Sequence, residues 1–288
     1  MAAILSGKEV SAALNERLTA GMRALEQAGV TPVLVILRVG ERQDDLAYER
    51  SAVKRCEKLG VKAQRLTLPA ECTQAELMDA VRSINEDAGI HGCLMLRPLP
   101  AGLDEHAACE ALRPEKDVDC ITSGSLARVF TGKGAGYPPC TAQACVEILD
   151  HYHCRLDGRK AVVVGRSMVI GKPVAMLLLA RNATVTICHT HTRNLAGECQ
   201  RADVLIVATG KTGIVDGRCI SPGQVVIDVG IHVNADGTMC GDVDFSSVEP
   251  LAGAVTPVPG GVGTVTSTVL VGHVIEAAAK AAGIEWKT

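Results

Sequence analysis

Hydrophobic and polar positions along the chain alternate between short β-branched runs and longer stretches with helical spacing. This alternation predicts an α/β fold with largely parallel sheets. The segment PVLVILRVG (32–40) is a continuous apolar run, as expected of a strand buried on both faces. A helix is predicted over 7–28 and ends at Gly29. The remaining elements of this first series are a helix containing Tyr48, a strand at 62–69, a helix at 73–86 and a strand at 92–100.

Glycine and proline cluster over 132–139 and mark a boundary between two domains. A connecting helix follows at 141–152, and a second α/β series opens with the strand KAVVVG (160–165). The last helix, at about 265–282, is rich in alanine and valine, which predicts that it packs against the rest of the protein. Between these segments the pattern predicts a helix at 171–181 and strands at 183–189, 202–210 and 223–231.

Composition narrows the class of protein. The chain has 288 residues, 47% of them hydrophobic, which is enough for two domains and excludes a disordered chain. A net charge of -3 and an aromatic content of 2% argue against a nucleic-acid partner, and the short apolar runs argue against a membrane. The 12 cysteines are scattered without regular spacing, which argues against a disulfide scaffold, and no CxxC pair occurs, which argues against a zinc ribbon or a thioredoxin-type site. Because MAAILSGKEV shows no secretory signal, reduced thiols and a cytoplasmic location are expected.

The segment VVVGRSMVIGKP (162–173) has the pattern of a dinucleotide-binding loop. A strand ends at Gly165, Arg166 and Ser167 follow in a loop, and a helix begins near Gly171. Glycines let the backbone approach a pyrophosphate, and the N–H groups at the helix start attract its charge. The spacing is GxSxxxG rather than GxGxxG, so an ordinary joint between a strand and a helix stays an alternative.

The end of the next strand indicates which dinucleotide is bound. An NAD-specific site usually has an acidic side chain there for the ribose hydroxyls, but CHTHTRN (188–194) contains none. Hydroxyls of Thr190 and Thr192, together with Arg166, are suited to a ribose phosphate, which favours NADP over NAD. A solvated loop is the alternative. The histidines in this segment lack acidic or thiolate partners at ligand spacing, so no metal site is predicted.

Several segments, in this order, resemble the methylenetetrahydrofolate dehydrogenase/cyclohydrolase family, known in bacteria as the FolD type. They are PEKDVD (114–119), PPCT (138–141), VVGRS (163–167), VIDVGI (226–231), GDVDF (241–245) and TPVPGGVGTVT (256–266). The resemblance extends over essentially the whole chain. It implies two α/β domains joined by two long helices, the second domain being a Rossmann-type dinucleotide-binding domain.

The resemblance also implies the division of the chain and its activity. Residues 1–140 with 265–288 would form the catalytic, folate-binding domain, and residues 141–264 the NADP-binding domain. The implied reaction is the transfer of a hydride from 5,10-methylenetetrahydrofolate to NADP, which gives 5,10-methenyltetrahydrofolate in one-carbon metabolism. Family members are commonly homodimers, so a homodimer is expected.

The resemblance assigns site residues by position. Tyr48 and Asp119 match the family's catalytic and folate-binding residues, with the Asp119 carboxylate accepting N–H groups of the pterin. The turn Pro259, Gly260, Gly261, Val262 and Gly263 is expected close to the substrate. The residues expected to contact the cofactor are Gly165, Arg166, Ser167, Thr190 and Ile231.

The chain departs from the family at positions that serve the cyclohydrolase reaction. The family pattern Tyr-x-x-x-Lys places a lysine where this chain has Ala52, and the family's strand glutamine is replaced by Leu96. Lys54 lies about 240° around the helix from Tyr48, so it faces elsewhere. Arg55 lies within about 20° of Tyr48, but a guanidinium cannot act as a general base. Hydrolysis is therefore expected to be lost or weak.

Three alternatives stay open. One is a fully bifunctional dehydrogenase/cyclohydrolase, and another is a non-catalytic descendant that binds folate or NADP. The third is a different two-domain NADP oxidoreductase, such as a shikimate-type enzyme, although its lysine and aspartate pair is not evident. An assay with 5,10-methylenetetrahydrofolate and either nicotinamide cofactor discriminates among them.

Overall fold

The computed structural model describes residues 1–286 and confirms the α/β fold with parallel sheets. The strands are β1 (Ala3–Ile4), β2 (Val33–Val39), β3 (Lys62–Leu68), β4 (Gly92–Met95), β5 (Lys160–Val164), β6 (Thr184–Cys188), β7 (Val204–Val207), β8 (Val225–Asp228), β9 (His232–Val233), β10 (Met239–Cys240) and β11 (Ala254–Val255). The helices are α1 (Gly7–Gln27), α2 (Gln43–Lys58), α3 (Gln74–Glu86), α4 (Glu105–Glu110), α5 (Ser123–Thr131), α6 (Cys140–His151), α7 (Gly171–Leu179), α8 (Leu195–Cys199), α9 (Phe245–Val248) and α10 (Val262–Ala281).

The chain forms two compact units. Met1–Ala12 and Pro139–Thr266 form one, here called the six-stranded unit. Ala13–Pro138 and Ser267–Thr288 form the other, here called the three-stranded unit.

The three-stranded unit is built on a parallel sheet with the strand order β3-β2-β4. All seven residues of β2 are buried, and all except Arg38 are apolar, as expected of a strand covered on both faces. From β2 the chain first adds β3 on one side and then returns to add β4 on the other. A crevice for ligands therefore lies outside the carboxyl ends of β2 and β4.

The six-stranded unit has the strand order β1-β11-β8-β7-β5-β6, and all of its neighbouring strands are parallel. After β5 the chain adds β6 on one side and then β7 on the other. The carboxyl ends of β5 and β7 thus form the crevice at which Rossmann-type sheets hold dinucleotides. Strands β9 and β10 form a separate antiparallel pair.

The first residues of the chain belong to a different unit from the one predicted. The sequence placed all of residues 1–140 in the first domain, whereas Met1–Ala12 lies in the six-stranded unit. The reason is the pairing of β1 with β11, in which Ala3 lies opposite Ala254. Two residues per strand, separated by most of the chain, leave no periodic signal in the sequence.

Other boundaries also differ from the prediction. Strand β4 ends at Met95 rather than near residue 100, and Pro98 and Pro100 lack the N–H groups that would continue its pairing with β2. Helix α10 begins at Val262, three residues earlier than predicted. The short helices α4 and α5 were not predicted.

One helix among the described residues, α10, is long and apolar enough to cross a membrane by length and composition alone. The short apolar runs of the sequence predict no such helix. However, 72% of its apolar window is buried within the protein, as is typical of a core helix.

Two adjacent leucines at the end of α7 provide a test of the core of the six-stranded unit. Leu178 is fully buried, whereas Leu179 is 53% exposed. Leu178→Ala should lower the free energy of unfolding by about 2–5 kcal/mol, because it removes buried surface and leaves a cavity. Leu179→Ala should change it by less than about 0.5 kcal/mol. Urea unfolding of both variants checks this, and equal effects would contradict the packing described.

Candidate functional site

A cavity of about 340 Å³ lies at the carboxyl ends of β2 and β4 in the three-stranded unit. It brings together Tyr48, Asp119 and Leu96, three of the positions singled out from the sequence. The other lining residues are Arg42, Asp44, Asp45, Leu94, Met95 and Arg97. Arg42 connects the two sides of the crevice, because its guanidinium donates a hydrogen bond of 2.9 Å to the carbonyl of Pro98.

Helix α2 presents Tyr48 to this cavity. The Tyr48 side chain is 45% exposed, whereas Ala52, one turn later, is 4% exposed. Lys54 is on the exposed surface, as its helical position predicts. Neither Lys54 nor Arg55 lines the cavity. The structure therefore places no side-chain amine among the residues that line it.

A buried ionic cluster holds α2 against the sheet. Glu49 is 5% exposed, and its carboxylate accepts hydrogen bonds from Arg38 Nε at 2.9 Å and Arg65 Nε at 2.6 Å. Burial alone would raise the pKa of Glu49, but the hydrogen bonds and charges of the two arginines lower it below its usual range. Because Arg38 lies on β2 and Arg65 on β3, the cluster fixes the position of the helix that bears Tyr48.

The loop that carries Asp119 is held by a neighbouring acid. Asp117 is fully buried, and its carboxylate accepts hydrogen bonds from Ile121 N at 2.9 Å and Thr122 N at 2.8 Å. The Thr122 hydroxyl donates a third, of 2.7 Å. The sequence alone assigns Asp117 no role. Its three bonds close the turn on which Asp119 sits, so Asp119 reaches the cavity while Asp117 stabilises the loop.

Two further contacts fix the same loop. Lys116 Nζ donates hydrogen bonds of 2.6 Å to the carbonyls of Ile84 and Asp87 at the end of α3. On the other side, His273 Nδ1 donates a hydrogen bond of 2.8 Å to the carbonyl of Val118. The residues just before Asp119 are thereby anchored to the end of α3 and to α10.

In the six-stranded unit, the glycine loop after β5 packs tightly against neighbouring backbone. Gly165 has φ +125°, and a Cβ there would overlap the carbonyl oxygen of Ala208. A Cβ at Gly171 would overlap the carbonyl oxygen of Gly165. The hydroxyl of Ser167 accepts hydrogen bonds from Ile170 N at 3.1 Å and Gly171 N at 3.4 Å, so it caps the start of α7.

The residues expected to hold a ribose phosphate have different surroundings. Arg166 and Thr190 are exposed. Thr192 is half-buried, and its hydroxyl accepts a hydrogen bond of 2.9 Å from His189 N, which closes the turn after β6. Arg166 and Thr190 are therefore better placed than Thr192 to contact a ligand. Among residues 1–286, no group of three or more His, Cys, Asp or Glu side chains is arranged to hold a metal ion.

The turn before α10 packs against the start of the chain. Gly260 has φ +102°, and its carbonyl accepts a hydrogen bond of 2.8 Å from Gly7 N. A Cβ at Gly263 would lie 3.1 Å from the end of the Ile231 side chain. The structure thus brings Ile231, a predicted cofactor residue, next to the predicted substrate turn. The Ile231 side chain is 54% exposed.

Two acids in the family-like motifs organise the loops beyond β8. Asp228 is 4% exposed and accepts hydrogen bonds from the backbone N–H groups of Gly230, Asp242 and Val243 at 3.0–3.1 Å. A Cβ at Gly241 would overlap the Asp228 carboxylate. In the sequence, these motifs serve only as markers of the resemblance. The close contact of Gly241 with the Asp228 carboxylate explains why a glycine precedes Asp242.

Asp242, whose backbone N–H donates to Asp228, is fully buried. Its carboxylate accepts hydrogen bonds from Thr209 N, from Gly210 N at 3.0 Å and from His232 Nε2 at 2.7 Å. The loops after β7 and β8 are thus tied to one side chain.

The pH dependence of stability should report the burial of Asp228. Burial raises the pKa of its carboxyl from 3.8 to about 6. The three backbone N–H groups lower this pKa, and the nearby charge of Asp242 raises it. The folded state then keeps a proton that the unfolded state has lost, so this group's contribution to stability falls as the pH rises through about 6.

Comparison with Asp228→Asn isolates that contribution. The free energy of unfolding of the native protein, minus that of the variant, should decrease between pH 4 and pH 7. Urea unfolding at several pH values measures it. An increase over the same interval would mean that the hydrogen bonds outweigh burial.

The geometry of both units agrees with comparisons to known proteins. The chain matches the catalytic domain of tetrahydrofolate dehydrogenase/cyclohydrolase over residues 5–119 and the NAD(P)-binding domain of the same family over residues 139–282. It is 47% identical over 277 residues to the bifunctional protein FolD of Alkaliphilus oremlandii, which covers 96% of this chain and 97% of the relative.

Solved structures give the same result. The bifunctional FolD enzyme of Campylobacter jejuni superposes with a TM-score of 0.94 at 33% identity, over 97% of this chain and 99% of that one. The FolD enzyme of Trypanosoma brucei, solved with NADP and an inhibitor, has a TM-score of 0.89 at 33% identity, over 97% and 98%. The chain belongs to the tetrahydrofolate dehydrogenase/cyclohydrolase family.

Proposed function

We propose that this protein is an NADP-dependent 5,10-methylenetetrahydrofolate dehydrogenase. The observation that carries the proposal is the glycine loop after β5, which lies at the topological switch point of a Rossmann-type sheet in a chain of this family. The match to the Trypanosoma brucei enzyme, whose structure contains NADP, supports the same cofactor.

The residues of the loop fit a dinucleotide. Gly165 and Gly171 let the loop pack closely against the carbonyl oxygens of Ala208 and Gly165, a backbone conformation suited to hold a pyrophosphate at the start of α7. When bound, NADP accepts the hydride from the methylene carbon of the folate. Arg166 supplies a positive charge for the ribose phosphate, and Thr190 supplies a hydroxyl. Ile231 offers an exposed apolar side chain beside the turn at Gly263.

We place the folate in the cavity of the three-stranded unit. The Asp119 carboxylate is suited to accept two N–H groups from the amino-pyrimidine face of the pterin. Tyr48 is exposed on the cavity wall and offers a ring face and a hydroxyl. The anchored loop holds Asp119 in place before the substrate arrives, which reduces the entropic cost of binding.

Retention of the hydrolytic activity is the second part of the proposal. The replacement of the family's lysine and glutamine by Ala52 and Leu96 predicted that hydrolysis is lost or weak. The relatives from Alkaliphilus oremlandii and Campylobacter jejuni are both named bifunctional, and this favours the alternative in which both activities are present. The homodimer and the cytoplasmic location stay predictions.

The cofactor assignment is tested by steady-state kinetics with 5,10-methylenetetrahydrofolate and either NADP or NAD. The native protein should reduce NADP with the higher kcat/KM. Arg166→Ala should lower kcat/KM for NADP by the equivalent of about 1–3 kcal/mol, because a charged hydrogen bond to the phosphate is lost. NAD has no such phosphate and should be affected far less.

Arg201→Ala is the control, since Arg201 is an exposed arginine of the same unit, paired with Glu198. It should leave both cofactors unaffected. A preference of the native protein for NAD would refute the assignment.

The folate assignment is tested by Asp119→Asn. An amide offers one acceptor oxygen where the pterin presents two donors, so the affinity for tetrahydrofolate should fall by about 1–3 kcal/mol. Calorimetric titration measures it, with Asp79→Asn as a control at an exposed acid paired with Arg82. Unchanged affinity in Asp119→Asn would show that the pterin binds elsewhere.

A further inference from the structure

Asp45 has an unusual environment for a buried carboxylate. It is 7% exposed, yet it lines the cavity that contains Tyr48 and Asp119. Its polar contact among residues 1–286 is Arg42, whose Nε lies 3.9 Å from Oδ2, and no group in this part of the chain donates a hydrogen bond to it. Buried carboxylates are normally satisfied by hydrogen bonds. Because Asp45 lines the cavity, its oxygens are open to water and to a molecule that enters.

The position of Asp45 on α2 relates it to the absent lysine. At about 100° per residue, Asp45 lies about 60° around the helix from Tyr48, and Ala52 lies about 40° from it. All three occupy one side of the helix. The family's lysine site is one turn after Tyr48, whereas Asp45 is almost one turn before it. This chain thus has an ionisable group on the same face of α2 as the family's lysine site, but nearer the N-terminus of the helix than Tyr48.

We propose that Asp45 is the catalytic base for hydrolysis of 5,10-methenyltetrahydrofolate in this cavity. The inference rests on the proposed function and deepens it, since it names the group that replaces the lysine and glutamine. Asp45 binds the attacking water, and Arg42 balances the charge of the carboxylate.

The chemistry of the step requires a proton acceptor at this place. Water attacks the methenyl carbon between N5 and N10, a C–O bond forms, and the electron pair of the C=N bond moves to nitrogen. Asp45 takes the proton that the water loses. Asp45 then returns this proton to N5 as the C–N5 bond breaks. The hydroxyl proton leaves as the carbonyl forms, so one proton is released for each 10-formyltetrahydrofolate produced.

The charge of the cavity suits a cationic reactant. The methenyl form carries a positive charge that the methylene form lacks. Three carboxylates line the cavity, from Asp44, Asp45 and Asp119, against two guanidinium groups, from Arg42 and Arg97. The excess of negative charge favours retention of the methenyl product until water attacks it.

A purely structural role for Asp45 predicts different behaviour. Asp45 lies in the first turn of α2, where any negative charge favours the helix. In that role, its side chain would affect stability but not the ratio of the two reactions. Kinetic measurements on the folded protein therefore distinguish a catalytic role of Asp45 from a purely structural one.

The test compares native protein, Asp45→Asn and Glu41→Gln in two assays. One supplies 5,10-methenyltetrahydrofolate and follows the loss of its absorbance, and the other supplies 5,10-methylenetetrahydrofolate with NADP and follows oxidation. Asp45→Asn should lower kcat for hydrolysis by at least about 100-fold, with a much smaller change in kcat for oxidation. Glu41→Gln removes a charge from an exposed residue that does not line the cavity, and should behave as the native protein does.

Chemical rescue provides an independent readout. In Asp45→Ala, added formate should restore part of the hydrolysis, because a free carboxylate can occupy the vacated site and accept the proton. Circular dichroism of each variant verifies that it is folded. A variant that is folded and inactive in hydrolysis but not rescued would oppose the assignment of Asp45 as the base.

Other outcomes overturn the proposal in distinguishable ways. If Asp45→Asn raises KM in both assays without a separate loss of kcat for hydrolysis, Asp45 only binds the substrate. If native protein oxidises the methylene form but hydrolyses the methenyl form no faster than buffer, the base is absent and the dehydrogenase assignment stands. If native protein fails to oxidise the substrate, the proposed function fails, and the methenyl assay still decides the role of Asp45.

Discussion

A carboxylate removed from water must be matched by hydrogen-bond donors or positive charge, and the loops of both units depend on this constraint. Glu49 is matched by two arginines, Asp117 by one turn of backbone and a threonine hydroxyl, and Asp228 and Asp242 by backbone N–H groups. Glu49, Asp228 and Asp242 join segments that are distant in sequence, whereas Asp117 closes a local turn. Loss of one would leave a buried charge or unpaired donors, so these acids define the shape of the loops that face ligands.

The side chains available to ligands are neighbours of the buried acids. The buried acids hold these neighbours in position but do not themselves face a ligand. Asp119 stands two residues beyond Asp117, and Tyr48 precedes Glu49 on α2. Ile231 follows the turn that Asp228 closes. Asp45 differs from the other buried acids because no hydrogen-bond donor matches it among the residues described. Because Asp45 lines the cavity, its carboxylate is open to a molecule that binds there.

The sequence predicted those features that depend on local pattern. The buried run of β2, the glycines around Arg166 and the exposure of Lys54 all follow from periodicity or from the backbone freedom of glycine. It did not predict the pairing of β1 with β11 or the contact of Asp228 with Gly241, because these join positions far apart in the chain. Asp45 was missed for a different reason: an acid in the first turn of a helix is usually a solvated one. Its helical angle to Tyr48 was the available signal.

We propose that the cavity beside β2 and β4 binds folate, with Asp119 holding the pterin and Asp45 holding the attacking water. A crystal structure of the protein with NADP and a non-reactive folate analogue tests it most directly. The predicted result has the pterin donors on the Asp119 carboxylate, the ring beside Tyr48, and a water molecule within hydrogen-bond distance of Asp45. A pterin whose donors engage Asp45 while Asp119 faces solvent, or an analogue bound outside this cavity, would contradict it.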